Sequence, residues 1–389
     1  MYIHGGICNP CQACRPTCAG AHRDDHYGSL ELDADFIIIG GGIAGISAAA
    51  RLSADSTVLV LEGEDSLAHH ASGRSAALYE PHYGAAPVVG LSLASRDYFM
   101  AQPNVLSPRG LLSVARAEEM EALRADAEDM NLTLISADEA CAMVPVFNRA
   151  VVAGGAKANH AWDIDTDLLL QGFAKVARGN GARILTKAQV TGINRIAGGW
   201  RVSTKAGEFT GTTLVNAAGA WVDKVAALAG VRPLGFQPNR RSIARIPAPG
   251  GHDVSQWPML FGVGESWYAK PDAGALLVSP AEEHPMDPHD AFADDMVLAE
   301  GIARYEAMVT EPVTRLIASW AGLRTFAPDR VLVIGRDPVE PSFVWLAGQG
   351  GYGFQTSPAA SQLVADLIAE REPQIEPELV VALSPARFR

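Results

Sequence analysis

The sequence predicts an α/β fold in two structural units, and three observations predict it. An unbroken apolar run, Phe36–Ile39, leads into a glycine-rich turn and then into the small-residue helical stretch Ala44–Leu52. A second glycine-rich strand-to-helix turn, Gly348-Gln349-Gly350-Gly351-Tyr352-Gly353, lies near the other end of the chain. The 389 residues, 48% hydrophobic and 19% charged, are enough to bury a core that divides in two.

The chain opens on four crowded cysteines, Cys8, Cys11, Cys14 and Cys18, in a C-x2-C-x2-C-x3-C run. Soft thiolates at that spacing suit an iron–sulfur cluster or zinc, but no proline follows the last cysteine and no second run completes a pair of clusters. Residues 1–30 are therefore expected to be a disordered extension without a metal site. No apolar h-region opens the chain and no window of ~20 apolar residues exists, so a soluble cytoplasmic protein that does not span a membrane is expected. A net charge of -13 argues against nucleic acid and against an anionic membrane surface as partners.

Gly40, Gly42 and Gly45 then have the G-x-G-x-x-G spacing. The first allows a tight turn, the second lets backbone approach a pyrophosphate, and the third lets helix pack on strand; the helix N-terminus favours the negative charge. A second apolar strand, Thr57–Leu61, ends in Glu62, where a carboxylate can accept from ribose hydroxyls. Strand, glycines, helix, strand and acid in this order indicate a dinucleotide. The bland reading is an ordinary glycine-rich turn.

The small polar loop around Ser72, Arg74 and Ser75 enters a further helix and suits a second contact with the dinucleotide. Residues 95–130 read as helical, with loop signals at Pro103-Asn104 and Ser107-Pro108-Arg109-Gly110, and as an inserted second unit. A short helix over Ala137–Val144 stops at Pro145, and Asp165 or Thr166 caps a helix over Leu168–Ala177. Ala182–Thr186, Gln189–Ile193 and Trp200–Thr204 read as strands, the last two as a hairpin. Leu214–Trp221 is a buried strand ending in small residues against which a flat ligand can lie. His284 and His289, in the acidic loop from Pro280 to Asp295, read as solvated. Val331–Gly335 and Phe343–Ala347 are strands, the second feeding the closing glycine turn and a helix after Gln355. Two such turns at opposite ends suggest one long ligand held by both.

In combination these segments resemble the FAD-dependent D-amino-acid oxidase (DAO) superfamily, and within it bacterial D-arginine dehydrogenase. The resemblance rests on Ser72–Ala77, Asp163–Asp167, Val215–Trp221, Arg240-Arg241-Ser242, Tyr268–Gly274, Trp320–Arg324 and Gln349–Thr356. It implies a glutathione-reductase-like Rossmann FAD-binding domain plus a substrate domain with a mixed or antiparallel sheet and helices. The first would comprise residues 31–95, 166–230 and 321–389, the second 96–165 and 231–320. It implies that Gly40, Gly42, Gly45, Glu62, Ser72, Arg74, Ser75, Val190, Ala217 and Gly219 hold FAD, with Gly350, Gly351, Tyr352, Gly353, Gln355 and Thr356 at its ring end. It further implies that Arg324 and Tyr268 bind a substrate carboxylate, while Arg241, Tyr83, Gly351 and Gln355 line the pocket. The reaction implied is hydride transfer from the α-carbon of a D-amino acid to flavin N5, then hydrolysis of the imino acid to a 2-oxo acid and ammonia. The electrons would pass to an acceptor other than oxygen, a quinone or an electron-transfer protein.

Two departures bear on the substrate. Leu78 stands where the arginine dehydrogenase pattern has histidine, and Asn104–Arg109 offers no guanidinium-binding acid. Neutral or apolar D-amino acids are therefore expected, and Glu80 reads as a solvated or structural carboxylate. The alternatives are a glycine- or sarcosine-type oxidase, a 2-hydroxy-acid dehydrogenase, a non-catalytic flavin-binding subunit and an NAD-binding regulatory domain.

Overall fold

Strand Ala34–Ile39 lies inside an eight-stranded sheet, and the way its side chains alternate explains the layers on either side. Phe36 and Ile38 face a cluster with Ile46, Leu169, Phe173, Leu363 and Val364; Ile37 and Ile39 face one with Trp200, Val222, Val225 and Trp345. The first face is covered by helices Ile43–Leu52, Thr166–Gly179 and Gly353–Ile368, the second by Val222–Leu228 and an antiparallel hairpin. A strand buried on both faces must read as a continuous apolar run, as Phe36–Ile39 does. The computed structural model describes residues 32–389; Cys8, Cys11, Cys14 and Cys18, with the disorder expected around them, lie outside the described residues.

Five strands of this sheet run parallel: Arg183–Leu185, Val58–Leu61, Ala34–Ile39, Gly207–Asn216 and Phe343–Ala347. Their carboxyl ends therefore share one edge. The turn at Gly40, Glu62, the Ala217-Ala218-Gly219 segment and the turn at Gly348 all leave from that edge. Parallel sheets place ligand sites there.

A nine-stranded sheet takes strands from Leu111–Ala115, Thr133–Ser136 and Gly154–Ala158 early in the chain and from Gln237–Pro247 to Ala318–Phe326 later. Ala318–Phe326 pairs along Gln237–Pro247, setting Arg324 opposite Asn239 and Gly322 opposite Arg241. The boundary expected at residue 321 thus falls inside a strand of this sheet. Three other expectations need correction. Residues 95–130 are not one helical stretch: helices Arg96–Ala101 and Met120–Asp129 flank strands Leu106–Pro108 and Leu111–Ala115. The apolar run Leu111–Ala115 is fully buried, so tertiary pairing decides its state over helical propensity. Ser107-Pro108, read as a loop, lies in a short edge strand, where proline needs no ladder donor. The closing helix begins at Gly353, so Gln355 and Thr356 are in its first turn. Asp165 caps Thr166–Gly179, accepting from the Leu168 N–H at 2.8 Å.

Candidate active site

Three connected cavities start at the shared sheet edge. The first is a cleft of about 460 Å³ walled by Gly40, Gly42, Glu62, Ser72, Arg74, Val190, Ala217 and Gly219. Its floor is backbone at close quarters. Gly40 has φ +112°, and a Cβ there would meet the Ala217 carbonyl; a Cβ at Gly45 would strike the Gly40 carbonyl oxygen. Gly45 therefore lies beneath the turn and packs the helix on the strand instead of walling the cleft. Ser72 Oγ accepts from the Ile43 N–H at 3.0 Å, tying the second loop to the helix start. Glu62 accepts from the Gly41 N–H at 2.6 Å and from the Glu64 N–H at 2.8 Å, so it braces the turn as well as facing the cleft.

The cleft continues into a second cavity through shared walls at Ala71, Ser72, Arg74, Ala217, Gly219, Gly322 and Leu323. Gly350, Gly351 and Gly353 from the closing turn, with Ser75, Arg241 and Arg324, complete it. A third, small cavity of about 60 Å³ lies beyond and shares Ser75, Ala76, Tyr268, Arg324, Gly351 and Phe354 with the second. It also takes in Tyr83, Glu80, Glu265 and Gln355. Arg324, Tyr268, Tyr83, Gly351 and Gln355 thus come together from four separated segments. Arg241 does not line this third cavity. Tyr352 and Thr356 are walls of none of the three: Tyr352 packs on Tyr83 with ring centroids 5.3 Å apart, and the Thr356 hydroxyl donates to the Tyr352 carbonyl.

The two arginines differ in charge environment. Arg241 is buried and paired with Glu283 at 3.1 Å and Glu265 at 3.7 Å. Burial, then the Arg324 charge, pulls its guanidinium down to about 10. The Arg324 guanidinium makes no ion pair or hydrogen bond among the described residues, though it borders both inner cavities. A Cβ at Gly351 would lie 2.8 Å from Arg324 Cζ, so the guanidinium rests directly on the closing turn. Burial raises the Glu265 carboxyl, and Arg324 pulls it back.

Arg74 behaves differently from a cofactor contact alone. Its guanidinium pairs with Asp290 and donates to the Ala291 and Ala321 carbonyls at 2.7 and 2.9 Å, while Trp320 Nε1 donates to its carbonyl at 3.2 Å. It fastens the 71–77 segment to the edge of the nine-stranded sheet. Lys270 does the same from below: its ammonium donates to the Ala76 and Ala77 carbonyls and pairs with Asp163 at 2.9 Å. The sequence reading placed Lys270 and Asp163 in resembling segments without a role. Their signal was present as a lone lysine in an apolar strand, Tyr268–Asp272.

Glu80 corrects a reading. It is not solvated but 2% exposed, with its carboxyl raised by burial to about 8. His160, which the sequence reading did not single out, lies beside it with Nε2 3.2 Å from Glu80 Oε1. His284 is exposed, as expected, with Nδ1 3.3 Å from Arg240 Nη2, whereas His289 is half-buried on the wall of the cleft.

The cavity walls suit FAD on grounds of the chain alone. A cleft with a glycine floor that side chains would fill, a helix N-terminus at Ile43 and a second cavity of about 130 Å³ between two glycine turns match a dinucleotide ending in a flat ring system.

Comparison with known proteins agrees. The family model described as DAO, FAD dependent oxidoreductase, matches residues 35–367. The FAD-dependent oxidoreductase domain-containing protein 1 of Xenopus laevis is 28% identical over 179 residues, 40% of this chain and 34% of that one. The match therefore spans about a third of that relative. Sarcosine oxidase subunit beta of Rhizobium meliloti (strain 1021) is 24% identical over 370 residues, 87% of this chain and 85% of that one. The crystal structure of glycine oxidase from Geobacillus kaustophilus superposes with a TM-score of 0.78 at 23% identity, covering 90% of this chain and 98% of that one, and so shares the two-sheet fold. The last two are named for sarcosine and glycine, and none of the three for D-arginine. No helix among the described residues is long and apolar enough to cross a membrane. With the family model spanning both glycine turns and every strand that walls the cavities, the chain belongs to the DAO family of FAD-dependent oxidoreductases.

Proposed function

We propose that the chain oxidises the α-carbon of an amino acid, a D-amino acid with a small neutral side chain. The observation that carries this reading is Arg324: a guanidinium without an ion-pair partner among the described residues, beside the buried Tyr268, at the junction of the ring-end cavity and a small one. A planar fork with free donors suits a carboxylate held by two parallel hydrogen bonds. The rest of the small cavity is walled by Leu78, Leu111, Met130, Met259, Phe261 and Phe354, which suit an apolar side chain. The D configuration and an acceptor other than oxygen are supported by the resemblance to D-arginine dehydrogenase. The absence of a guanidinium-binding acid in Asn104–Arg109 weighs against D-arginine itself.

When bound, FAD supplies the hydride acceptor. The chain supplies the rest: Arg324 and Tyr268 hold the carboxylate and so fix which hydrogen faces the ring-end cavity, a positioning effect. Gly351 lets the guanidinium lie close, and Phe354 with Met259 and Phe261 excludes water. Gly353 and Phe354, at the N-terminus of the closing helix, border the ring-end cavity, where their orientation favours negative charge.

A glycine- or sarcosine-type amine oxidation is the second reading, favoured by the small volume of the third cavity and by the names of the relatives. Anaerobic mixing of the purified flavoprotein with D-alanine, L-alanine, glycine, sarcosine and D-lactate separates these readings. Bleaching by D-alanine ahead of the others is expected. Bleaching by lactate alone would overturn the amino-acid reading, and peroxide release in air would overturn the acceptor.

A further inference from the structure

Carboxylate binding leaves one buried acid without a task. Glu80 follows strand Leu78–Tyr79 and borders the same small cavity as Arg324 and Tyr268. Backbone contacts hold it still: its N–H donates to Gln355 Oε1 at 3.1 Å, and its Oε1 accepts from the His82 N–H at 3.0 Å. Its other oxygen, Oε2, is buried with no hydrogen-bond partner among the described residues. A buried polar atom left unpaired is costly, and its persistence beside a cavity points to a partner that arrives from outside.

A way out for a proton lies on the other side. His160 Nε2 is 3.2 Å from Glu80 Oε1 but off the alignment of a hydrogen bond, and the His160 and His82 rings meet edge to face with centroids 5.0 Å apart. His82 walls an outer chamber of about 620 Å³ with Asp126, Asp129 and Glu265, and this chamber meets the small cavity at Tyr83, Leu111, Met130, Phe261 and Glu265. The charged and titratable groups around Glu80 are His82 and His160 on its own side, with Tyr83, Glu265, Tyr268 and Arg324 across the cavity. Around His160 they are Glu80 and His82, with the Met130 backbone as its polar neighbour.

We infer that Glu80 accepts the proton that the substrate's ammonium group must lose, and that His160, next to His82, passes it to the outer chamber. This rests on the amino-acid reading above. An amino acid arrives as the ammonium form, and its nitrogen lone pair must be free before the α-hydrogen can leave with its electron pair. One N–H bond breaks, its electron pair stays on nitrogen, and the proton bonds to Oε2 of the Glu80 carboxylate. A half-turn of the carboxyl exchanges its two oxygens, so that the bare one accepts from the His82 N–H and the protonated one gives its proton to His160 Nε2; the imidazolium then releases its Nδ1 proton to water beside His82, which walls the chamber. No electrons are exchanged in this step. Burial holds Glu80 near 8, within reach of an amine, and holds His160 below its ordinary value, so that its neutral ring is free to accept.

The test is anaerobic flavin reduction by D-alanine, glycine and sarcosine, followed by stopped flow across neutral and alkaline pH in the holoenzyme. Glu80→Gln keeps the shape and loses the base. Its limiting reduction rate is expected to fall about a hundredfold, and the acid limb of the pH profile to move to that of the free amine. Amino-acid affinity stays within about threefold, because Arg324 still holds the carboxylate. Glu80→Asp recovers part of the rate, and His160→Asn, at a partly exposed position, slows reduction about tenfold with affinity kept. A wild-type rate and pH profile in both Glu80→Gln and His160→Asn overturns the relay and leaves the amino-acid reading intact. A wild-type flavin that none of the three amines reduces overturns that reading, and the relay with it.

Discussion

The cleft at the sheet edge and the small cavity beyond it are built from different materials. The cleft is made of main chain: glycines that admit no Cβ, carbonyls at strand ends, and N–H groups at a helix start. The small cavity is made of side chains, Arg324, Tyr268 with Glu265, and Glu80 with Tyr83, delivered by three separate segments. On the proposed assignment of FAD to the first and substrate to the second, cofactor choice rests on backbone and substrate choice on groups that can be replaced one at a time.

If that contrast holds, the largest effect comes from adding atoms beneath the backbone floor of the cleft. Gly45→Val puts a branched side chain into the Gly40 carbonyl, and the purified protein is expected to carry no flavin, read as the ratio of visible to ultraviolet absorbance. A yellow variant would break the comparison. Next, Arg324→Met is expected to keep the flavin and raise the apparent KM for the amino acid about a hundredfold, as loss of a charge-assisted pair worth roughly 3 kcal/mol requires. Tyr268→Phe removes one neutral donor and should cost about tenfold in the same measurement, again with flavin retained.

The smallest effect concerns stability. Between pH near 4.5 and about 8 the folded chain keeps a proton on Glu80 that the unfolded chain has lost. Stability from this group is therefore full below that window and declines as pH rises through it. Thermal unfolding of the wild type is expected to fall by on the order of 5 °C across the window relative to Glu80→Gln. Parallel curves for the two proteins would place Glu80 in contact with water.

The same contrast explains what could be read from residues alone. Gly40, Gly42, Gly45 and Glu62 were legible because local spacing along one βαβ unit sets their geometry. Asp165 was legible as a helix cap for the same reason. Arg324 and Tyr268 were reached only through resemblance, since nothing near them in sequence says that strands Ala318–Phe326 and Tyr268–Asp272 end at one cavity. Glu80 was read as solvated or structural, and the structure removes the first, because its burial depends on Gln355 and His160, 275 and 80 residues away in the chain. A charged residue in a loop looks solvated until the fold closes over it. Leu111–Ala115 was misread for a related reason: its neighbours Gly154–Ala158 and Met259–Gly262 make it a strand.

The strand that carries Arg324 is the outermost of its sheet, and an outermost strand is a template on which another chain can pair. Here the turn Ala71–Arg74 covers it, with Gly322 against Ala71, Arg74 donating to the Ala321 carbonyl and Trp320 Nε1 donating to the Arg74 carbonyl. The loop that borders the cofactor cleft is therefore also the guard of that edge. Anything that loosens the loop uncovers that ladder, so in this chain the wall of the cleft and the cover of the sheet edge are one element.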